Sequence, residues 1–74
     1  MELKKGQKWR HYKGETYEIV GLGLHSETLE EMVIYKSLYE KENFPKGTIW
    51  IRPKKMWFEE VEWEGKKVKR FELR

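Results

Sequence analysis

Four adjacent polar residues, His25, Ser26, Glu27 and Thr28, carry the side-chain types of a hydrolytic site: an imidazole base, a hydroxyl nucleophile and a carboxylate to orient the base. Their adjacency works against that use. Consecutive side chains on extended backbone point to opposite faces, whereas a nucleophile and its base must converge to about 2.6–3.2 Å. A partner from another strand, such as His11, would be needed to restore convergence. A small hydrolase using His25, Ser26 and Glu27 therefore ranks below a structural reading, in which Ser26, Glu27 and Thr28 hydrogen-bond the backbone of their own loop.

A second set interleaves cations with rings. Arg10, His11, Lys13, Arg52, Lys54 and Lys55 alternate with Tyr12, Trp50 and Trp57. Arg and Lys hold phosphates while aromatic faces stack on bases, which is how small barrels take single-stranded nucleic acid. The competing structural reading gives most of these rings to the core and pairs the cations with Glu15, Glu18, Glu59 and Glu60. Aromatic barrels also recognise peptides, so a protein or peptide interaction domain is the alternative. A metal site would have to draw on His11, His25 and Glu alone, without Cys or a local His-x-x-x-His pair. Gly21 and Gly23 form a bare G-x-G with no third glycine opening a helix, so no phosphate cradle is implied.

These residues need elements to position them. Residues 7–13 alternate as a first strand and turn at Lys13-Gly14 into a second, 16–24. There Tyr17, Ile19, Gly21 and Gly23 face one way, and the glycines signal a bend, a bulge or a close approach. Thr28 and Glu31 have the spacing of a capping box and predict one helical turn at the opening of the next segment. Residues 32–39 are rich in β-branched and aromatic side chains and read as a strand, with a helix near 27–41 as the alternative. Pro45 and Gly47 place a turn in 40–47. Residues 48–52 form a fourth strand, with Ile49 and Ile51 opposite Trp50 and Arg52, and Pro53 ends its ladder. KKMWF forms a short helical turn, and a closing hairpin flanks Glu64-Gly65. The expected fold is mainly β: a small, partly open antiparallel SH3-like barrel with one short helical turn, or else an OB-like barrel or an α+β arrangement.

Composition bounds the function. A chain of 74 residues has room for a single small β-barrel domain over 1–74, whose core rarely supplies more than about 3–5 kcal/mol of net stability. It contains no cysteine, which removes disulfides, thiolate metal sites and cysteine nucleophiles together. The reinforcement available is aromatic, with four Trp, four Tyr and three Phe. Charged residues make up 39% of the chain, with no Asp and only one Asn and one Gln, a composition like that of heat-adapted proteins. The net charge of +3, with acids interspersed, argues only weakly for a polyanion partner. The segment MELKKGQKW has no apolar signal core, and no apolar run approaches a membrane span of roughly 18 residues. A cytoplasmic location away from the membrane is expected.

The phrases WRHYKG (9–14), YEIVG (17–21), HSETLEEMVIYKSLY (25–39), WIRP (50–53) and KRFE (69–72) resemble the bacterial domain-of-unknown-function family 1653, in order and spacing along nearly the whole chain. The chain departs from that pattern at Leu24, at Lys54 and Lys55, and in a somewhat long 40–47 loop. The resemblance implies a small stand-alone intracellular bacterial protein and supplies no reaction. The expected site is a pocket where the 25–28 loop meets strand ends carrying Arg10, Tyr35, Trp50 and Arg52. His25, Ser26, Glu27 and Thr28 would give directional hydrogen bonds, the arginines would hold an anionic or carbonyl group, and Trp50 or Tyr35 would stack. Recognition of a nucleotide or single-stranded nucleic acid is the first expectation, with no cofactor or metal.

Overall fold

The computed structural model describes residues 2–74. Its elements are β1 (Lys8–His11), β2 (Thr16–Leu24), β3 (Glu31–Ser37), β4 (Ile49–Pro53), α1 (Lys54–Trp57), β5 (Glu60–Trp63), β6 (Lys66–Lys69) and β7 (Phe71–Leu73). Five strands form one antiparallel sheet in the order β4-β3-β2-β1-β7, and β5 and β6 form a separate hairpin. The fold is thus mainly β with one helical turn. The segment 27–41 does not form a helix: Glu31–Ser37 is a strand paired on both sides, and its β-branched and aromatic residues fit that pleated environment.

Each hairpin follows from local chemistry. Trp63 pairs with Lys66 across Glu64 and Gly65, which both take positive φ (52° and 77°), the conformation that a two-residue type I′ turn requires. In β2 the register shifts between Ile19 and Gly21, so Val20 is the extra residue of a bulge. Before the bulge Tyr17 and Ile19 share the inner face with Ser37 and Tyr35; after it Leu22 takes that face beside Val33. Gly21 and Gly23 therefore leave the face expected for them and lie on the outer one. There a Cβ on Gly21 would meet nothing within 4 Å, and one on Gly23 only the Ile34 Cδ1 at 3.4 Å. The glycines accompany the bend; no other backbone comes within 4 Å of a Cβ at either position.

Pro53 does not stop the fourth ladder, because it pairs with Met32. Ser37 donates its N–H to the Thr48 carbonyl at 3.0 Å, and antiparallel alternation then makes Tyr35–Trp50 and Val33–Arg52 the bonded pairs and Met32–Pro53 a non-bonded one. A missing N–H at that position costs the ladder nothing.

The sheet is rolled. Arg52 of one edge strand stands over the Phe71 ring of the other, Cζ 5.5 Å from its centroid. Four inter-strand steps in a flat sheet would separate those edges by roughly 19 Å. No hydrogen-bonded ladder joins β4 to β7 among the described residues, so the roll stays open. Leu3, Trp9, Ile19, Val33, Tyr35, Trp57 and Phe71 fill it, with Ser37 as the buried polar residue. At its centre the rings of Trp57 and Phe71 stack 3.8 Å apart and 7° from parallel. Tyr35 meets Trp57 edge-on at 4.9 Å, and Trp9 meets it edge-on at 5.8 Å.

Trp57 is fully buried, and truncation of such a side chain to alanine costs about 3–5 kcal/mol. That equals the whole stability expected of so small a core. Trp57→Ala is therefore expected to leave no cooperative transition in a urea titration followed by far-UV circular dichroism. A transition within about 1 kcal/mol of the parent's would show that the stacked pair is dispensable.

Candidate functional site

The sequence 25–28 forms a self-bonded turn at the end of the β2–β3 hairpin. The His25 imidazole Nδ1 accepts the N–H groups of Glu27 at 3.2 Å and Thr28 at 3.4 Å, and Thr28 Oγ1 accepts the Glu30 N–H at 3.2 Å. Main-chain bonds from His25 to Glu30 and from Leu29 to His25, both 2.8 Å, close the loop. The capping box is not made, since Thr28 bonds Glu30 rather than Glu31 and no helix follows. With Nδ1 accepting, the neutral imidazole carries its proton on Nε2. Thus His25, and not Ser26 or Glu27, ties the loop backbone. All four side chains, His25 to Thr28, are exposed.

The other expected residues do not gather around this turn. Tyr35 lies four positions beyond Glu31 along β3, roughly 13 Å at the rise of a strand. Arg10 faces outward from β1, in register with Thr16 on one side and Glu72 on the other. Trp50 and Arg52 do face inward with Tyr35. Trp50 is covered by Phe44, ring to ring at 5.1 Å, and its indole N–H is buried without an acceptor. It packs against the core more than it offers a stacking surface. Lys54 and Lys55 are turned to Glu31 (3.7 Å) and Glu30 (3.2 Å), Lys36 to Glu18 (3.9 Å) and Arg70 to Glu59 (3.3 Å). Lys41 pairs with Glu15. The acids expected to neutralise the interleaved cations pair elsewhere: Glu15, Glu18 and Glu59 take Lys41, Lys36 and Arg70, while Lys54 and Lys55 take Glu31 and Glu30.

Arg10 and Lys13 are exposed and also lack an ion pair among the described residues; among the half-buried lysines and arginines Arg52 is the exception. It is half-buried and makes no ion pair among the described residues. Its Nε donates to the Tyr35 hydroxyl at 3.2 Å while its Cζ lies over Phe71, 5.5 Å from the ring centroid, which leaves the terminal nitrogens as donors. A guanidinium fixed at Nε presents a fork shaped for a carboxylate or phosphate. Around it the rings continue outward from the core. His11 meets Phe71 edge-on at 5.1 Å and lies against Tyr12 at 4.4 Å with the rings tilted 33°, and Tyr12 meets Trp63 edge-on at 5.3 Å. Tyr17 stands edge-on to Tyr35 at 5.1 Å, and its hydroxyl lies 2.6 Å from that of Tyr39. Burial first, then that hydrogen bond, push the Tyr17 phenol up, so it stays protonated.

His11 is held uncharged. Burial lowers its pKa from the usual 6.5; Glu15 opposes this, while Arg52, Arg70 and Lys13 push it further down. Its Nδ1 accepts the Lys13 N–H at 3.2 Å, so in the neutral ring Nε2 carries the proton as a donor. Arg52, His11 and the half-buried faces of Tyr12 and Tyr17, with the exposed Trp63 beyond, form a donor-bearing aromatic surface suited to an anion attached to a flat ring. Sequence reasoning named Arg52, Tyr35, His11 and Tyr12. It missed Tyr17, Tyr39, Trp63, Arg70 and Phe71, because the β1–β7 pairing that brings His11 opposite Phe71 joins segments far apart in the chain. Among the described residues no three His, Asp or Glu side chains group to hold a metal.

A separate open groove of about 490 Å³ runs beside β7, lined by Trp9, Phe58, Lys69, Phe71, Glu72 and Leu73. It is mostly apolar and does not include Arg52.

The family described as "Protein of unknown function (DUF1653)" matches residues 7–73. Among solved structures, the crystal structure of a DUF1653 protein from Bordetella bronchiseptica is similar, with 33% identity over 95% of this chain and 85% of that one and a TM-score of 0.78. None of the curated proteins matches.

Two outcomes test this geometry. His25→Ala removes the acceptor of two amides, so hydrogen exchange at the Glu27 and Thr28 N–H groups is expected to accelerate, whereas Ser26→Ala leaves both protected. His11 has a depressed pKa in the fold, so the unfolded chain binds its proton first as pH falls. Stability is then expected to decline below pH 6.5 until His11 is protonated in both states. In urea titrations across that window, His11→Gln should lose this part of the decline.

Proposed function

We infer the function of this chain, which belongs to the DUF1653 family, from Arg52. The protein is a small binding module of SH3-like, partly open barrel form that recognises a nucleotide or a stretch of single-stranded nucleic acid. The barrel reading rests on the rolled sheet, whose edge strands β4 and β7 face each other through Arg52 and Phe71. The ligand reading rests on one observation: a half-buried guanidinium held by Tyr35 and Phe71, with no carboxylate paired to it among the described residues. Burying a cation without a counter-charge is unfavourable unless hydrogen bonds or an anion compensate. Here a ligand phosphate supplies that anion, and the neutral His11 adds a donor without adding charge.

The surrounding rings supply the rest. Bases stack on aromatic faces with little sequence preference, and Tyr12, Tyr17 and Trp63 lie within ring-to-ring contacts that lead back to the Arg52 floor. Lys13 sits 5.8 Å over the Tyr12 ring, where it can meet a neighbouring phosphate. The exposed His25–Thr28 turn stands at a distance and keeps a structural role in this reading.

A peptide is the second reading, and the groove beside β7 favours it. Trp9, Phe58, Phe71 and Leu73 offer apolar contact next to an edge strand, which suits an extended chain.

Fluorescence anisotropy with short RNA and DNA oligonucleotides separates the two. Affinity is expected to fall log-linearly with salt, with a slope near −0.7 per phosphate neutralised. Arg52→Gln should weaken binding and flatten the slope. Trp63→Ala should cost about 1–3 kcal/mol of stacking at unchanged slope, and Lys54→Gln, whose amine faces Glu31, should change little. No binding of oligonucleotides or free nucleotides at low salt ends the nucleic-acid reading and leaves the peptide.

A further inference from the structure

We propose that the open edge of β4 pairs with the same edge of a second copy of this chain, giving a two-fold symmetric dimer. The Ser37 N–H bonds the Thr48 carbonyl, and alternation from there makes Tyr35–Trp50 and Val33–Arg52 the bonded pairs, which use the main-chain groups of Trp50 and Arg52. Ile49 and Ile51 therefore turn their N–H and C=O groups away from β3. Nothing pairs with them among the described residues, because β4 ends the sheet. Unpaired groups of this kind are a template for another strand.

The same two residues carry exposed side chains, 53% for Ile49 and 62% for Ile51. Both lie on the outer face, where Ile51 is opposite Ile34 and Met32 opposite Pro53. The edge reads Ile-Trp-Ile in either direction. An antiparallel partner centred on Trp50 places Ile49 opposite the partner's Ile51 and Ile51 opposite the partner's Ile49, so each exchanges both main-chain bonds. In this register Arg52 faces the partner's Thr48 and Pro53 faces the partner's Gly47. No like charges meet within β4; the next position, Lys54 toward the partner's Lys46, lies beyond the strand, where Lys54 belongs to α1 and is directed at Glu31, and the missing N–H of Pro53 falls outside the exchanged bonds.

Charge complementarity points to a second copy in two further ways. Lys36, the cation beside Ile49, is directed toward Glu18 at 3.9 Å, so the isoleucine stripe can close without facing an unpaired ammonium. At the opposite edge of the sheet, the register centred on Glu72 is disfavoured. There, matching Phe71 with the partner's Leu73 would set Glu72 against the partner's Glu72 and Arg70 against the partner's Arg74, like charges that oppose pairing. The result at β4 is a continuous sheet through the two copies, with six isoleucines, Ile34, Ile49 and Ile51 from each, in one outer stripe.

Sedimentation velocity over a concentration series tests the dimer. The parent is expected to move from the 9.2 kDa monomer toward twice that mass as concentration rises. Ile51→Lys puts a charge into the stripe, and Ile49→Pro removes an open-edge N–H without touching the β3 ladder; each should remain monomeric with an unchanged far-UV spectrum. Parent protein that stays monomeric up to about 1 mM overturns the proposal, as does a dimer that survives in both variants. Arg52 lies on the inner face, so oligonucleotide binding by Ile51→Lys reports on the Arg52 reading independently of the dimer.

Discussion

The stacking of Phe71 on Trp57 is the contact on which the rest depends. Phe71 reaches it only because β7 returns to pair with β1, and Trp57 only because the turn after β4 folds back over the sheet. The pair therefore ties both edges of the sheet into one core, and the roll follows. Packing of this kind adds roughly 0.5–1.5 kcal/mol beyond simple area burial for each aromatic contact. In a chain without cysteine to reinforce it, such a contribution is a large share of a small total.

Much of this was legible from residue order, because the local signals agree with the global fold. Period-2 alternation located β2 at its observed bounds and the neighbouring strands to within one or two residues. Glu64-Gly65 marked a turn that takes the required positive φ at both positions. The helical turn fell at KKMW. What failed was face assignment and register, which a single residue controls. Val20 is the clearest case: as a bulge it reverses the inward set of β2, and no local property of valine announces that. Thr28 and Glu31 failed differently. The capping-box spacing is present, but β3 begins at Glu31 and extends to Ser37, and cross-strand pairing on both sides overrides a local helical start.

The candidate site was half legible for a related reason. Composition exposes which residues could bind an anion, and Arg52 was among them. Long-range pairing decides which remain free, and it takes Lys36, Lys41, Lys54, Lys55 and Arg70 into contacts with carboxylates. The HSET residues drew notice because three catalytic chemistries stand side by side. Their bonds show a simpler use, in which an imidazole replaces a capping hydroxyl as the acceptor for loop amides.

The fourth strand shows how a broken local rule points to function. A half-buried strand is expected to turn its aliphatic side chains inward and its cation outward. β4 does the opposite, with Ile49 and Ile51 exposed while Arg52 faces the core. Exposing two isoleucines and partly desolvating an arginine both cost stability, and sequences keep such conflicts where another use offsets them. The aromatic floor offsets part of the inner cost, since Phe71 lies beneath the guanidinium and Tyr35 fixes its orientation. The outer isoleucines stay exposed. One inversion thus gives β4 two unlike surfaces: an inner one that carries a half-buried guanidinium over an aromatic ring, and an outer one that exposes two isoleucines.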